Sequence, residues 1–211
     1  MLSPASSLVS ERKVFRQAWR ATLLRTADNT VLRDWLRDRG SLTARLQSRG
    51  DFSLRVLSQR LCRPTADEAA MLGIEPQVLA RVREVALSCD GQLVVFAHTV
   101  LPYRPRGVLT VWLARLGARS LGALLFSHVG CRRGAMQFRR IDHRHALFAH
   151  AQAVLSACDH TSRTLWARRS YFSFGAQSVL VTEVFSARVR HLDHPGAGCL
   201  LGASATVGSS G

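Results

Sequence analysis

The chain has 211 residues, 47% of them hydrophobic, which is enough to bury one full core, and a formal charge of +15 from 29 basic against 14 acidic residues. Lys13 is the only lysine, so the charge belongs to arginine and predicts attraction to anions without naming one: nucleic acid, a membrane surface and a small carboxylate all qualify. Five scattered cysteines (Cys62, Cys89, Cys131, Cys158, Cys199) with no C-x-x-C pair argue against a disulfide framework and a zinc knuckle, and no stretch approaches the roughly 20 apolar residues of a membrane span or a signal-peptide core. A cytoplasmic, reducing setting is the expectation.

Residues 1–12, rich in serine, are expected to be disordered, with a single domain over 13–190 and a disordered tail over 191–211, where small residues show no period. Val31, Leu32, Trp35 and Leu36 recur at helical spacing and predict a helix over 29–39, ended by Gly40. Ser41 is placed to cap a second helix over 42–48, which Gly50 closes. Alternation of Phe52, Leu54 and Val56 with Ser53 and Arg55 predicts a strand over 52–61. Thr65-Ala-Asp-Glu68 has capping-box spacing for a short helix that ends near Gly73. Strands over 77–88 and 93–101 flank Asp90-Gly91, a pair suited to a tight hairpin because both central turn residues need positive φ.

Beyond Pro102 and Pro105, apolar residues at 108, 109, 112, 113 and 116 predict another helix, and a short one follows over 121–126. A strand over 136–141, an amphipathic helix over 144–157 with Leu147, Phe148, Ala151, Val154 and Leu155 inward, and a hairpin over 165–185 complete the domain. Hairpins separated by helix pairs, without βαβ alternation, predict an α+β fold: a largely antiparallel sheet covered by helices.

Two charged residues break this pattern. Glu183 shares a strand face with Val179, Val181 and Phe185, while Leu180, Thr182 and Val184 occupy the other. Both faces are apolar, so the carboxylate needs a partner: Arg168 or Arg169 in a structural ion pair, or a ligand. Arg83 shares a face with Val85 and Leu87, and Glu84 points the opposite way. Arg83 and Glu183 on one apolar sheet face can grip the two ends of a polar small molecule, or each other.

Other signals carry less. Ser120 lacks nucleophile-elbow spacing, and the glycines at 196, 198 and 202 are spaced one residue too long for a dinucleotide fingerprint. His143, His145 and His150 read as solvated side chains with no metal-ligand set. Arg132-Arg133 through Arg139-Arg140, with Phe138 inside, can bind nucleic acid or form the wet face of an edge strand.

Four blocks fall in order over residues 29–187: Gly40-Ser-Leu-Thr-Ala-Arg-Leu46; Val82-Arg-Glu-Val85 before Cys89-Asp-Gly91; Leu116-Gly-Ala-Arg-Ser-Leu-Gly122 with Leu124-Leu-Phe126; and Leu165-Trp-Ala-Arg-Arg-Ser170 with Leu180-Val-Thr-Glu-Val-Phe185. Together they resemble bacterial chorismate pyruvate-lyase (chorismate lyase). The resemblance implies elimination of pyruvate from chorismate to give 4-hydroxybenzoate for ubiquinone biosynthesis, by a carbon–oxygen lyase with no metal or organic cofactor. It implies helical flaps over a buried ligand site, with catalytic residues at Arg83, for the ring carboxylate, and Glu183. Leu42 and Leu121 fall on the family's other substrate-binding positions, and Ser120 stands where the family can have proline. Expected partners are chorismate and its two products, with no nucleic acid and no membrane span; the sequence does not give the oligomeric state, and a monomer is favoured. Two rivals stand beside this reading. A non-enzymatic small-molecule-sensing domain of the related fold follows a DNA-reading winged helix, for which the roughly 28 residues before the resembling span that starts at 29 leave little room. A basic nucleic-acid-binding protein rests on charge alone.

Overall fold

The computed structural model describes residues 18–107, 109–111, 116–117, 119–155 and 163–193. Six strands form one antiparallel sheet: β1 (Phe52–Cys62), β2 (Ala80–Cys89), β3 (Gln92–Leu101), β4 (Arg132–Asp142), β5 (Thr164–Phe174) and β6 (Gln177–Phe185). Their order is β1-β2-β3-β6-β5-β4, so the two long hairpins meet at β3 and β6 in the middle of the sheet. Asp90 and Gly91 turn the first hairpin at φ 50 and 72, the left-handed conformation expected of that pair. β2 begins at Ala80, three residues later than the apolar pattern predicted.

The helices are short. A 3-10 segment, Ala27–Leu32, runs directly into α1 (Arg33–Arg37), so the first helix starts two residues before the expected 29 and stops at Arg37. Asn29 Oδ1 accepts from the Thr26 backbone N–H, which supplies the earlier start. α2 (Leu42–Gln47) is capped by Ser41 Oγ, which accepts from Ala44 N at 3.3 Å. α3 (Ala66–Leu72) begins where the Glu68 carboxylate takes the Thr65 N–H at 2.9 Å and ends at left-handed Gly73, φ 64. α4 (Leu121–Ser127) is capped by Ser120 Oγ.

α5 (Phe148–Leu155) is shorter than the predicted 144–157, because residues 142–148 turn first: His145 N donates to Asp142 O and Phe148 N to His145 O. Residues 156–157 lie outside the described residues, as does most of the helix predicted over 108–116, of which 109–111 are helical. The termini 1–12 and 194–211 also lie outside them. The predicted domain boundary at 190 falls inside a 3-10 segment, Ala187–Asp193, whose last residue accepts a hydrogen bond from Trp35 Nε1 at 2.6 Å.

Both sheet faces are covered. On one, Leu32, Trp35, Leu36, Leu42 and Leu46 pack over Val85, Leu87, Val95, Ala97 and Phe185, and next to them Leu116, Leu121 and Leu125 pack over Phe172, Val179 and Val181. On the other, Phe148, Ala151 and Leu155 of α5 cover Phe96, Ala167 and Val184, while Met71 and Leu72 of α3 lie against Val82, Val100 and Leu180. This burial on both sides explains why the central strands read as nearly continuous apolar runs. Among the described residues no helix is long and apolar enough to cross a membrane.

Candidate functional site

Strand register fixes where the two singled-out charges lie. Arg83 pairs with Thr99, and Thr99 with Val181; two residues along, Val85 pairs with Ala97, and Ala97 with Glu183. Arg83 and Glu183 therefore share a sheet face, two strands apart and one same-face row offset, about 10 Å across and about 7 Å along. Between them is a cavity of about 40 Å³, floored by Val85, Ala97, Thr99 and Val181 and closed by Leu42 and Thr43 of α2 and by Ser120, Leu121, Gly122 and Phe126 at α4. All four residues nominated from the sequence, Leu42, Arg83, Leu121 and Glu183, line it. The two covering helices also touch each other, through Thr43 Oγ1 and Ser120 Oγ at 2.7 Å. Ser120 thus caps α4 and joins it to α2, a role proline could not fill.

Arg83 is 3% exposed. Its Nη1 donates to Gln59 Oε1 at 2.8 Å, and its Nη2 donates to Gly117 O at 2.8 Å and Arg119 O at 3.2 Å. Gly117, at φ 47, turns the loop that offers these carbonyls. Every one of these acceptors is neutral. Arg83 Nε is buried without a partner, and among the described residues no carboxylate forms an ion pair with this guanidinium. Burial alone lowers its pKa, with no anion to oppose the effect.

Glu183 is paired, and with Arg168: Nε donates to Oε2 at 2.5 Å from the position directly opposite on β5. The structural ion pair weighed from the sequence is therefore present, and the Glu183 side chain still lines the cavity at 15% exposure. Arg133 stands nearby. Its Nε and Nη2 donate to Ser170 Oγ, its Nη1 to Arg39 O, and its guanidinium lies 4.9 Å from the centre of the Phe126 ring. Burial drops its pKa to about 10, partly offset by the charge of Glu183. In the sequence Arg133 belongs to the run read as a nucleic-acid-binding stretch or the wet face of an edge strand; β4 is an edge strand, but this arginine is tucked inward because the register shift between Arg133 and Met136 turns it there. Gln59 was also missed from the sequence, although it sits directly across β1 from Arg83.

On the opposite sheet face lies a separate charged cluster. Glu84 accepts from Ser58 Oγ at 2.9 Å, and its Oε1 is 3.1 Å from His98 Nδ1 and 3.3 Å from His150 Nδ1. His98 Nε2 lies 3.1 Å from Glu68 Oε1, an ion-pair contact off the line of the N–H. Between two carboxylates, and despite burial that opposes the charge, His98 is pushed up to about 9, and Glu84 is held down to about 2. His145, read from the sequence as solvated, is buried beside Trp19, and burial lowers its pKa. Among the described residues no three His, Cys, Asp or Glu side chains are grouped to hold a metal ion.

A larger groove, about 610 Å³, runs between residues 18–28 and the edge of β4, walled by Arg20, Leu24, Arg139, Arg140 and Arg144 among others. It contains none of the nominated residues, and its charges are partly matched, Arg140 by Asp28 and Arg144 by Asp142. Size alone favours the groove. The smaller cavity has the buried, uncompensated cation that chemistry on an anion requires.

The family described as chorismate lyase matches residues 16–191. A protein of Dechloromonas aromatica named probable chorismate pyruvate-lyase is 44% identical over 171 residues, 81% of this chain and 94% of that one. Another of the same name, from Thiobacillus denitrificans, is 44% identical over 156 residues, 74% and 82% of the two chains. Among solved structures, the effector domain of PhnF from Mycobacterium smegmatis is 19% identical, with a TM-score of 0.48 over 69% of this chain and 88% of that one.

Proposed function

Because this chain belongs to the chorismate lyase family, we infer that it eliminates pyruvate from chorismate and leaves 4-hydroxybenzoate. The observation that carries the reading is Arg83, a buried guanidinium whose hydrogen bonds among the described residues go only to neutral oxygens, at one end of a cavity whose other end holds a carboxylate. A ring carboxylate supplies the missing countercharge. Nε, which has no partner, and the adjacent Nη2, whose contact with Arg119 O is long, form the side of the fork that takes it. The C4 hydroxyl, para to that carboxylate, then reaches Glu183, which accepts its hydrogen bond and sets the rotation of the ring.

In the reaction the proton on C4 leaves, and its electron pair becomes the C3–C4 double bond that completes the aromatic ring. The C3–O ether bond breaks at the same carbon pair. Enolpyruvate departs with the ether oxygen and takes up a proton at its methylene to become pyruvate, so protons balance. Aromatisation supplies the driving force, which leaves the protein to hold one conformer in a water-poor cavity. These steps need no metal or organic cofactor.

At about 40 Å³ the cavity is well below the roughly 300 Å³ at the low end of ligand pockets, so α2 and α4 must part to admit the substrate. The Thr43–Ser120 contact is the link that breaks when they do. A net charge of +15 draws a dianion toward the chain before this local step. The expected setting is the cytoplasmic start of ubiquinone synthesis; free Cys62, Cys89 and Cys131 fit a reducing compartment. Chorismate added to the purified chain should yield pyruvate and 4-hydroxybenzoate in equal amounts, and Arg83→Ala and Glu183→Ala should each reduce kcat/KM by about 100-fold or more. Release of neither product refutes the reading, and binding without turnover fits a sensing domain instead.

A further inference from the structure

We infer that Arg168 is a positioning residue for this reaction: it pins one oxygen of Glu183 so that the other is presented to the ring hydroxyl. The inference rests on the reading of Glu183 given above. Arg168 is 0% exposed and sits directly across β5/β6 from Glu183. Its Nε donates to Glu183 Oε2 at 2.5 Å, while its Nη1 donates to Trp35 O at 2.8 Å and to Asp38 O at 2.7 Å. The guanidinium also lies 5.4 Å from the centre of the Phe185 ring. A planar group held at both ends and along its face has no rotational freedom left, and it passes that constraint to the carboxylate.

Glu183 Oε1 has no hydrogen-bond partner among the described residues, and the side chain lines the cavity. One oxygen is thus fixed by the protein and one is left for a ligand. A carboxylate oriented before the ligand arrives does not have to be ordered when it binds. The two carbonyls that hold Arg168 belong to the end of α1, a few residues before Leu42. Asp38 is itself tied down, accepting from Gly40 N at 2.7 Å and from Arg45 Nη1 at 3.1 Å. The direction of Glu183 is therefore set from the same backbone that carries the α2 cover.

The alternative is that Arg168 only stitches α1 to the sheet. Cutting a stitch weakens the fold and affects ligands with and without a hydroxyl alike, whereas losing a positioning residue erases the distinction between them. Dissociation constants for 4-hydroxybenzoate and benzoate, measured by titration calorimetry, separate the two. Wild type should prefer 4-hydroxybenzoate by roughly tenfold or more, the worth of a hydrogen bond to a charged acceptor. Arg168→Gln should hold benzoate within about threefold of wild type while its preference for the hydroxyl falls below about threefold, and Arg168→Lys, which keeps the charge but not the fork, should recover part of it. The double variant Arg168→Gln/Glu183→Gln should discriminate no worse than either single one, because the two side chains act as a unit.

Arg168 variants that keep the full preference, or that lose both ligands equally, overturn the positioning role. If wild type shows no preference, or Glu183→Gln retains it, the reading of Glu183 fails instead. Should neither Arg168 variant fold, crystals of wild type with 4-hydroxybenzoate decide: a phenol oxygen on Oε1 with the Arg168–Oε2 contact intact supports the inference, and a phenol oxygen on Oε2 with Arg168 displaced overturns it.

Discussion

Raising the pH from 6.5 to 9.5 should cost this protein about 3 kcal/mol of folding stability through His98 alone. His98 is held between Glu84 and Glu68, and its pKa is pushed up to about 9 from 6.5. A raised folded pKa contributes its full stabilisation below the unfolded value of 6.5 and loses it as pH climbs through 9. Moving the pKa from 6.5 to about 9 corresponds to roughly 3 kcal/mol, most of which is present at pH 6.5 and almost none at pH 9.5. The depressed pKa of Glu84, about 2, reflects the same contact with His98 and is counted once; its loss belongs to the acid side, between about 4.5 and 2. Urea denaturation at the two pH values reads the difference, and an imidazole NMR titration assigns it. The assignment is needed because burial also raises the pKa values of Cys89 and Cys131, and those thiols ionise earlier in the unfolded chain. Stability changing by less than about 1 kcal/mol, or His98 titrating below pH 7, would refute the charged sandwich.

Three further outcomes follow from the contacts. Thr43→Val, which removes the hydroxyl that meets Ser120, should speed release of 4-hydroxybenzoate about fivefold in stopped flow, the worth of one neutral hydrogen bond; an unchanged rate removes that link from the closing of the cavity. A chain ending after Asp193 should fold and turn over normally. One ending after Arg190 should lose about 1–3 kcal/mol in urea, because Trp35 Nε1 loses its acceptor on Asp193, Arg45 and Arg49 lose their ion-pair partner there, and Leu192 leaves the core; equal stability of the two truncations would show that these contacts contribute nothing. Exhaustive EDTA treatment should leave kcat unchanged, and activity restored by added zinc or magnesium would contradict the cofactor-free elimination.

What could be read before the structure was local. Asp90-Gly91 specified its hairpin because few other residues tolerate positive φ there, and Thr65 with Glu68 marked the start of α3 because the two side chains satisfy backbone N–H groups within one turn. Strand parity placed Arg83 and Glu183 each on the apolar face of its own strand because the side-chain period in a strand is two, whatever the tertiary fold; that the two share one sheet face comes from the pairing of β2 with β3 and of β3 with β6. What could not be read depended on which strands become neighbours. Gln59 meets Arg83 because β1 pairs with β2, and only the pairing of β5 with β6 selects Arg168 over Arg169 as the partner of Glu183. Arg169, one residue on, faces the other side and pairs with Asp67. Arg133 was hidden by its own neighbours, since a run of arginines gives no sign of which one a register shift will turn inward.

The central claim is that the buried Arg83 guanidinium takes its countercharge from the carboxylate of a ligand. Thermal unfolding with and without 4-hydroxybenzoate tests it directly, in wild type and in Arg83→Met. At one hundred times its Kd the product should stabilise wild type by about 2.7 kcal/mol, or roughly 5 to 10 °C in Tm for a domain of this size. Arg83→Met should remain folded and show no shift. No shift in wild type at millimolar product, or the same shift in both proteins, would contradict the claim.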